Sequence, residues 1–246
     1  MMAAKSLAAL ERDLRDIFSA RLQSVVHYGT RARHAPSGAH GGGHDAHAPE
    51  PAVHTLAIVD TLTADDLRAC GARVATWHQA GLATPLLLAA HELGRSLDVF
   101  PLEFGAIAAD HAVVAGRNPF TGLHVDPADV RRACEVQARS HLLHLREGYL
   151  ETAGRADALA VLIVDSAPAF AALLESIARL EGVDQDSSAV SRHAERKLNV
   201  PGGIVSDVLR LARVTEISSA EAERIFPSYL DAVERLVKFV DGWRAR

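Results

Sequence analysis

Apolar residues in the first half of the chain follow several different spacings. From residue 6 to residue 22 they recur every three or four positions, which predicts a first helix with Ser6 as its N-cap. Thr63, followed by Asp65 and Asp66, is a typical N-cap and predicts a second helix, which Gly81 ends. Short β-branched or continuous apolar runs predict strands. These strands are 23–28, 54–59, 85–90, 99–107 and 112–115, the last two forming a pair.

The second half of the chain has only helical spacing. Asp126 followed by Pro127 is a typical helix start, and Ser218 with Glu221 matches a capping box. Pro168 and Pro227 fall inside two of the predicted helices and should kink them. The helices are expected near 126–148, 155–181, 186–198, 201–213 and 218–244.

Together the two halves predict an α+β protein, in which a mixed sheet with flanking helices precedes an all-helical bundle. We place the α/β domain at residues 1–120 and the helical domain at 126–246, with the boundary between Gly116 and Asp126.

The composition limits the partners and the cellular location expected for this protein. The net charge of −5 and the pI near 6.2 argue against a whole-domain attraction to nucleic acid. Cys70 and Cys134 are far apart and form no C-x-x-C motif, which favours a reducing, cytoplasmic location. Charged residues 11–13 interrupt the N-terminal Ala/Leu stretch before a signal-peptide core could form. No run approaches the ~18 apolar residues of a membrane span, so no membrane partner is expected.

The segment VVHYGTRARH, residues 25–34, is a strand followed by a Gly-Thr turn and basic residues. It resembles the DNA polymerase β-type nucleotidyltransferase superfamily, and the order of the predicted elements extends the resemblance along the chain. The resemblance implies a nucleotidyltransferase-like domain followed by a HEPN-like helical bundle. It also implies nucleotide binding by Gly29, Thr30, Arg31 and Arg33, with backbone N–H groups facing phosphates.

The chain departs from this family where catalysis would occur. Active members carry two carboxylates at the start of the second strand and a third on a later strand, and these hold Mg²⁺. Aligned on LAIVDTL, Val53 and Thr55 occupy the first two positions, and Glu103 falls near the third. Glu103 is equally compatible with a surface charge at a strand end. Mg²⁺ is therefore expected as a cofactor only if the protein is catalytic.

Other acidic residues are less well placed to supply the two missing carboxylates. Asp60 is on the same strand, but five residues past Thr55, or roughly 17 Å along it. Asp45 and Glu50 belong to a Gly-, Ala-, Pro- and His-rich stretch, residues 35–53, which predicts a flexible loop. A loop carboxylate must be ordered before it can bind a metal.

Histidines are concentrated in and around this loop. His34, His40, His44, His47 and His54 fall within 21 residues. Three of them, His40, His44 and His47, are candidate ligands for Zn²⁺, Ni²⁺ or Cu²⁺. The alternative, which we favour, is a low-complexity insertion with incidental metal affinity, because the spacing is not that of a structural zinc site.

The helical half offers two further interpretations. Arg139 and His144 match the Arg-x4-6-His spacing of HEPN-like RNases, although neighbouring residues on the same helix suit a packed face. Apolar residues of the helix 155–181 form a stripe that core packing explains and that a homodimer could also use.

Three hypotheses of function follow. The first is a catalytically degenerate nucleotidyltransferase-fold protein, a pseudoenzyme that acts as a nucleotide-binding or protein-interaction module. The second is an active nucleotidyltransferase that moves a nucleotidyl group from a nucleoside triphosphate with a displaced Mg²⁺ site. The third is one member of a toxin–antitoxin-type pair, with a small protein as its partner.

Overall fold

The computed structural model describes residues 2–29 and 52–243. The chain divides into two compact units, Met1–Val125 and Asp126–Arg246, which are called unit 1 and unit 2 below. Within the described residues, the strands belong to unit 1 and unit 2 is helical. The predicted α+β class is confirmed.

Unit 1 is built from helices around one sheet. Its elements are α1 Met2–Phe18, β1 Leu22–Tyr28, β2 His54–Val59, α2 Ala64–Gly71, α3 Val74–Gln79, β3 Leu86–Ala89, α4 Leu93–Val99, α5 Pro101–Ala109 and β4 His111–Gly116. Single turns of 3₁₀ helix at Ser19–Arg21 and Ala90–Glu92 join some of them.

The sheet is mixed, with strand order β3-β2-β1-β4. The central strand β1 is antiparallel to both β2 and β4, and β2 is parallel to β3. Residues opposite one another on paired strands point to the same face of a sheet. The register therefore assigns each strand residue to one of two faces.

Helices cover both faces of the sheet. On one face, Val25 and Ala57 pack with residues of α1, α2 and α3, among them the fully buried Leu14 and Trp77. On the other face, Val26, Leu56 and Ile58 pack with residues of α4 and α5. These are called the α1 face and the α5 face. Burial of both faces explains why β2 reads as a continuous apolar run.

The start of α2 is held by a network that the sequence partly predicts. Thr63 and Asp66 form a capping box, in which the Thr63 hydroxyl accepts from the Asp66 N–H. The Arg21 guanidinium donates to both Asp66 carboxylate oxygens, at 2.8 and 2.7 Å. This bidentate pair joins the 3₁₀ turn that follows α1 to the start of α2.

Three predictions for unit 1 are wrong. Ser6, predicted as the N-cap of the first helix, lies inside α1, which begins at Met2. Residues 99–107, predicted as a strand, span the end of α4 and most of α5. Pro101 begins α5, and its buried residues Pro101, Phe104 and Ile107 are spaced by three, as on one helix face. β4 therefore pairs with β1, not with residues 99–107. The single helix expected between Thr63 and Gly81 is two helices, α2 and α3.

Unit 2 follows the predicted succession of helices closely. They are α6 Pro127–Glu151, α7 Ala156–Leu180, α8 Ser187–Leu198, α9 Ile204–Leu211 and α10 Ser219–Gly242. Asp126 caps α6 and Ser218 caps α10 through side chains that accept backbone N–H groups. Both α7 and α10 continue through Pro168 and Pro227, and the kinks expected there stay predictions.

Helix α7 corrects one sequence expectation. It contains an 18-residue window with mean hydropathy 1.8, long and apolar enough by composition to cross a membrane. Its buried residues, such as Ile163, Phe170 and Leu174, pack against the neighbouring helices of unit 2. We therefore interpret α7 as the core helix of this unit, because a core helix has the same composition as a membrane span.

Candidate functional site

The Gly-Thr turn singled out in the sequence lies at the end of β1. Gly29 has φ +73°, a conformation that favours glycine, and its N–H donates to the Asp110 carbonyl oxygen at 3.1 Å. The turn is thereby joined to the start of β4. Thr30, Arg31 and Arg33, the other predicted nucleotide-binding residues, lie outside the described residues.

Three ring-bearing side chains cross the sheet beside this turn. Tyr28 of β1 is paired with His54 of β2 on one side and with His111 of β4 on the other. The register places all three on the α5 face. The Tyr28 and His54 ring centroids are 5.7 Å apart. The end of the sheet at Gly29 therefore presents two imidazoles and a phenol.

His111 is held in one orientation by its own surroundings. Its Nδ1 lies 3.0 Å from the Ala108 carbonyl oxygen, and its Nε2 lies 3.1 Å from the Asn118 side-chain oxygen. The ring also contacts Phe120, with centroids 4.9 Å apart. Both ring nitrogens lie near oxygen atoms, and these contacts together with Phe120 fix the orientation of the ring.

The structure changes the setting of Glu103. This residue was expected on a strand, but it lies in the first turn of α5 and is exposed. It is nevertheless close enough to Tyr28 to act on it electrostatically. Burial raises the pKa of the Tyr28 hydroxyl, and the negative charge of Glu103 raises it further.

Val53 and Thr55 lie on the opposite side of the sheet. Val53 is 8% exposed and packs in the core beneath α1, and Thr55 is 1% exposed with no hydrogen-bond partner for its Oγ1. By strand alternation both side chains point to the α1 face, whereas Tyr28 and His54 point to the α5 face. Neither position faces the residues that gather beside Gly29.

The replacement acids are not brought to the turn. Asp60 follows β2 at its far end, where its carboxylate accepts from the Gln23 side-chain amide at 3.4 Å. Asp45 and Glu50 lie outside the described residues, as do His34, His40, His44 and His47. Within residues 2–29 and 52–243, no group of three or more His, Cys, Asp or Glu side chains is placed to hold a metal ion.

The Arg139–His144 pair of unit 2 is occupied by local contacts. Arg139 donates to Asp241 at 2.7 Å, and the His144 Nδ1 lies 2.8 Å from the Ser140 carbonyl oxygen. The third residue of this stretch, His141, points inward to Tyr229. Arg139 and His144 are therefore held by different partners and do not point to a common site.

Sequence reasoning missed two of the residues beside Gly29. Tyr28 immediately precedes the recognised turn, and this position was a usable signal. His111 could not be found in the same way, because its place depends on the pairing of β4 with β1. That pairing spans more than eighty residues of sequence, and the predicted strand at residues 99–107 competed with it.

Comparison with known proteins supports the fold. No family model matches the sequence, and no curated protein sequence matches it. A similar solved structure is that of spectinomycin adenyltransferase from Enterococcus faecialis with ATP and spectinomycin, with a TM-score of 0.57 and 13% sequence identity. The match covers 94% of this chain and 98% of that chain. The protein therefore has a nucleotidyltransferase-like fold.

Proposed function

We propose that this protein is a nucleotidyltransferase-fold module that binds a nucleotide without transferring it. The observation that carries the proposal is the composition of the sheet end at Gly29. The described side chains on the α5 face beside this turn are Tyr28, His54 and His111, with Glu103 near Tyr28, and the positions aligned with the family's acidic pair, Val53 and Thr55, carry no carboxylate. Two-metal catalysis needs oxygen anions from more than one side chain.

Mg²⁺ does not fit these residues. The metal prefers octahedral oxygen ligands and usually takes one or two carboxylates plus phosphate and water. The aligned positions Val53 and Thr55 supply no carboxylate and face the core. Glu103 is exposed on α5, and Asp110, the other acidic residue named near the turn, accepts the Gly29 N–H with its backbone carbonyl. A nucleotide at this end would therefore be held by the Gly29 turn and by neighbouring side chains.

Calorimetric titration with each ribonucleoside triphosphate tests this function. We expect binding that is the same with Mg²⁺ and with EDTA, and no pyrophosphate release. Gly29→Val should weaken binding at least about tenfold, because a β-branched residue is strained at positive φ. Gly81→Val is the matched control, since Gly81 has φ +77° and equally open surroundings but lies at another turn.

A second pair of variants decides between loss and retention of catalysis. Glu103→Gln should leave triphosphate binding unchanged, as should the control Glu147→Gln on α6. Pyrophosphate release, or Mg²⁺-dependent binding that Glu103→Gln alone removes, would show a working metal site. Restoring acids at Val53 and Thr55 is a poor test, because buried unpaired carboxylates would destabilise the fold.

A further inference from the structure

A cleft of about 580 Å³ lies in unit 1 at the far end of β1 from Gly29. Ser24, near this end, is about 17 Å from Gly29 by the rise of a strand. The cleft opens on the α5 face, to which Ser24 and its β2 partner Ile58 both point. The cleft borders the candidate site, because Asn118 of its lining also contacts His111, but it lies at the other end of β1 from the Gly29 turn.

The floor of the cleft contains an unsatisfied polar group. Ser24 is 2% exposed, and its Oγ has no hydrogen-bond partner among residues 2–29 and 52–243. A buried hydroxyl without a partner costs about 1–3 kcal/mol, so such groups are rare without a reason. Thr55 also has an unpartnered hydroxyl, but it lies in the core of the α1 face rather than at a cleft.

The space above Ser24 results from the residue opposite it on β4. That residue is Gly116, so no side chain from β4 covers the serine. A Cβ on Gly116 would overlap the Gln23 carbonyl oxygen, so the register itself requires glycine. The chain then leaves β4 through residues 117–123, several of which form the opposite wall of the cleft.

This wall is rich in hydrogen-bond donors. Arg117 is exposed and forms no ion pair with the residues that the structure describes. The Asn118 side-chain oxygen accepts from the Phe120 N–H at 3.0 Å, which leaves its NH₂ group as a donor. Thr121 adds a hydroxyl to the same wall. A guanidinium beside neutral donors suits a carboxylate or a phosphate.

Apart from Gln23 and Gly94, the rest of the lining is apolar. Its members are Ile58, Ala90, Leu93, Pro119 and Leu123. We propose that the cleft binds a small organic oxyanion, whose charged group meets Arg117, Asn118 and Ser24 and whose apolar body lies against Ile58 and Leu93. Carboxylates and phosphates share this chemistry.

The test uses three probes that differ in the charged group: phenylbutyrate, phenyl phosphate and the neutral phenylbutyramide. Each is titrated into the full chain and followed by ¹⁵N-resolved NMR. We expect saturable shifts at the amides of Ser24, Gly94 and residues 118–121 with one or both anions, and at least about tenfold weaker binding of the amide. The anion that binds more tightly shows whether the cleft prefers a carboxylate or a phosphate. Equal binding of the amide, shifts elsewhere, or no saturation by about 10 mM overturns the proposal.

Two variants probe the polar groups. Ser24→Ala should weaken anion binding several-fold without lowering the melting temperature, because the hydroxyl has no partner in the part of the chain that the structure describes. Thr55→Val is the matched control, since it removes the other unpartnered hydroxyl and should leave binding unchanged. Arg117→Gln should weaken anion binding about tenfold. Its control, Arg12→Gln, alters an exposed arginine of α1 and should have no effect.

A blocking variant gives an independent readout. Gly94 lines the cleft in the first turn of α4, and a Cβ added there meets open space. Gly94→Phe should therefore fill the cleft and abolish binding while the protein stays folded. Gly71→Phe, at an equally open helical glycine in α2, should bind the probe normally. Undiminished binding by a folded Gly94→Phe variant would place the anion elsewhere and refute the proposal.

Discussion

Gly116 lies directly opposite Ser24 in the β1–β4 pair, and the two backbones approach so closely that a Cβ on Gly116 would stand 3.0 Å from the Ser24 Cα. Gly116 also has φ +75°, where L-residues are strained. A side chain at position 116 would therefore cause both backbone strain and steric overlap with β1. Gly122, which has positive φ but open surroundings, serves as a control that measures the strain alone.

Gly116→Ala should destabilise unit 1 by on the order of 3 kcal/mol, from strain plus overlap with the Gln23 carbonyl oxygen. Gly122→Ala should cost only about 1 kcal/mol, because Gly122 has φ +78° but open surroundings. Urea denaturation of both variants measures the difference. Equal losses would show that β4 shifts to admit the methyl group.

The Arg21–Asp66 pair predicts an acid-sensitive contact in unit 1. The hydrogen bond from Arg21 and those from Thr63 hold the pKa of Asp66 well below its usual range. A carboxylate with a lowered pKa stabilises the fold above its unfolded pKa, and this stabilisation is lost as the pH falls through the folded value. Asp66→Asn should lower stability at neutral pH by about 1–3 kcal/mol.

The adjacent Asp65 supplies the control for that measurement. Asp65 is exposed and pairs only with Arg68 one turn along the helix. Surface pairs of this kind contribute at most about 0.5 kcal/mol. Thermal unfolding of Asp65→Asn should therefore resemble that of the wild type, and a loss equal to that of Asp66→Asn would contradict the role assigned to the bidentate pair.

Unit 2 contains a partly buried histidine that should make its stability depend on pH. The His141 Nε2 lies 3.0 Å from the Tyr229 hydroxyl, which donates to Ser166 at 3.2 Å. Burial, together with the nearby His144, lowers the pKa of His141 to about 4 from an ordinary value of 6.5. The unfolded chain thus binds a proton more readily than the folded chain between these values.

Stability should consequently fall as the pH drops from 6.5 towards 4, by about 3 kcal/mol in total from this group. His141→Gln should flatten this pH dependence, although it will lower stability at neutral pH by altering the core. The exposed His144→Gln should largely retain the wild-type slope. Denaturation curves at several pH values decide the matter, and an unchanged slope in His141→Gln would refute the assignment.

The two thiols should be unreactive in the folded protein. Cys134 is fully buried, and burial raises its pKa to about 12. Cys70 is 4% exposed, and burial followed by the charge of Asp66 raises its pKa. Since the thiolate is the reactive form, Ellman's reagent should label neither residue until denaturant is added. Rapid labelling of Cys134 in native buffer would show local opening of α6.

Most local signals in the sequence were reliable, although Ser6, predicted as an N-cap, lies inside α1. Thr63, Asp126 and Ser218 each cap the helix predicted for them, because a cap is decided by hydrogen bonds within one turn. The helices of unit 2 were found for a related reason. A long helix repeats its apolar spacing many times, so the signal accumulates.

Short elements were less well predicted. Residues 99–107 contain apolar positions compatible with both a strand and a helix, and Pro101 at the first turn was the informative residue. The spacing of apolar residues cannot by itself predict whether such a short segment is a helix or a strand, because its conformation depends on the surface against which it packs.

The sequence by itself determined the fold class, the Gly29 turn and the absence of an acidic pair at Val53 and Thr55 in the alignment, since these depend on residue type and local order. Only the tertiary structure decided that Tyr28, His54 and His111 share one face, that Glu103 belongs to a helix, and that Ser24 lies beneath an open cleft. The physical reason is register. Side chains alternate between the two faces of a strand. The residues that lie beside them on each face depend on how the strand pairs with segments that are distant in the chain.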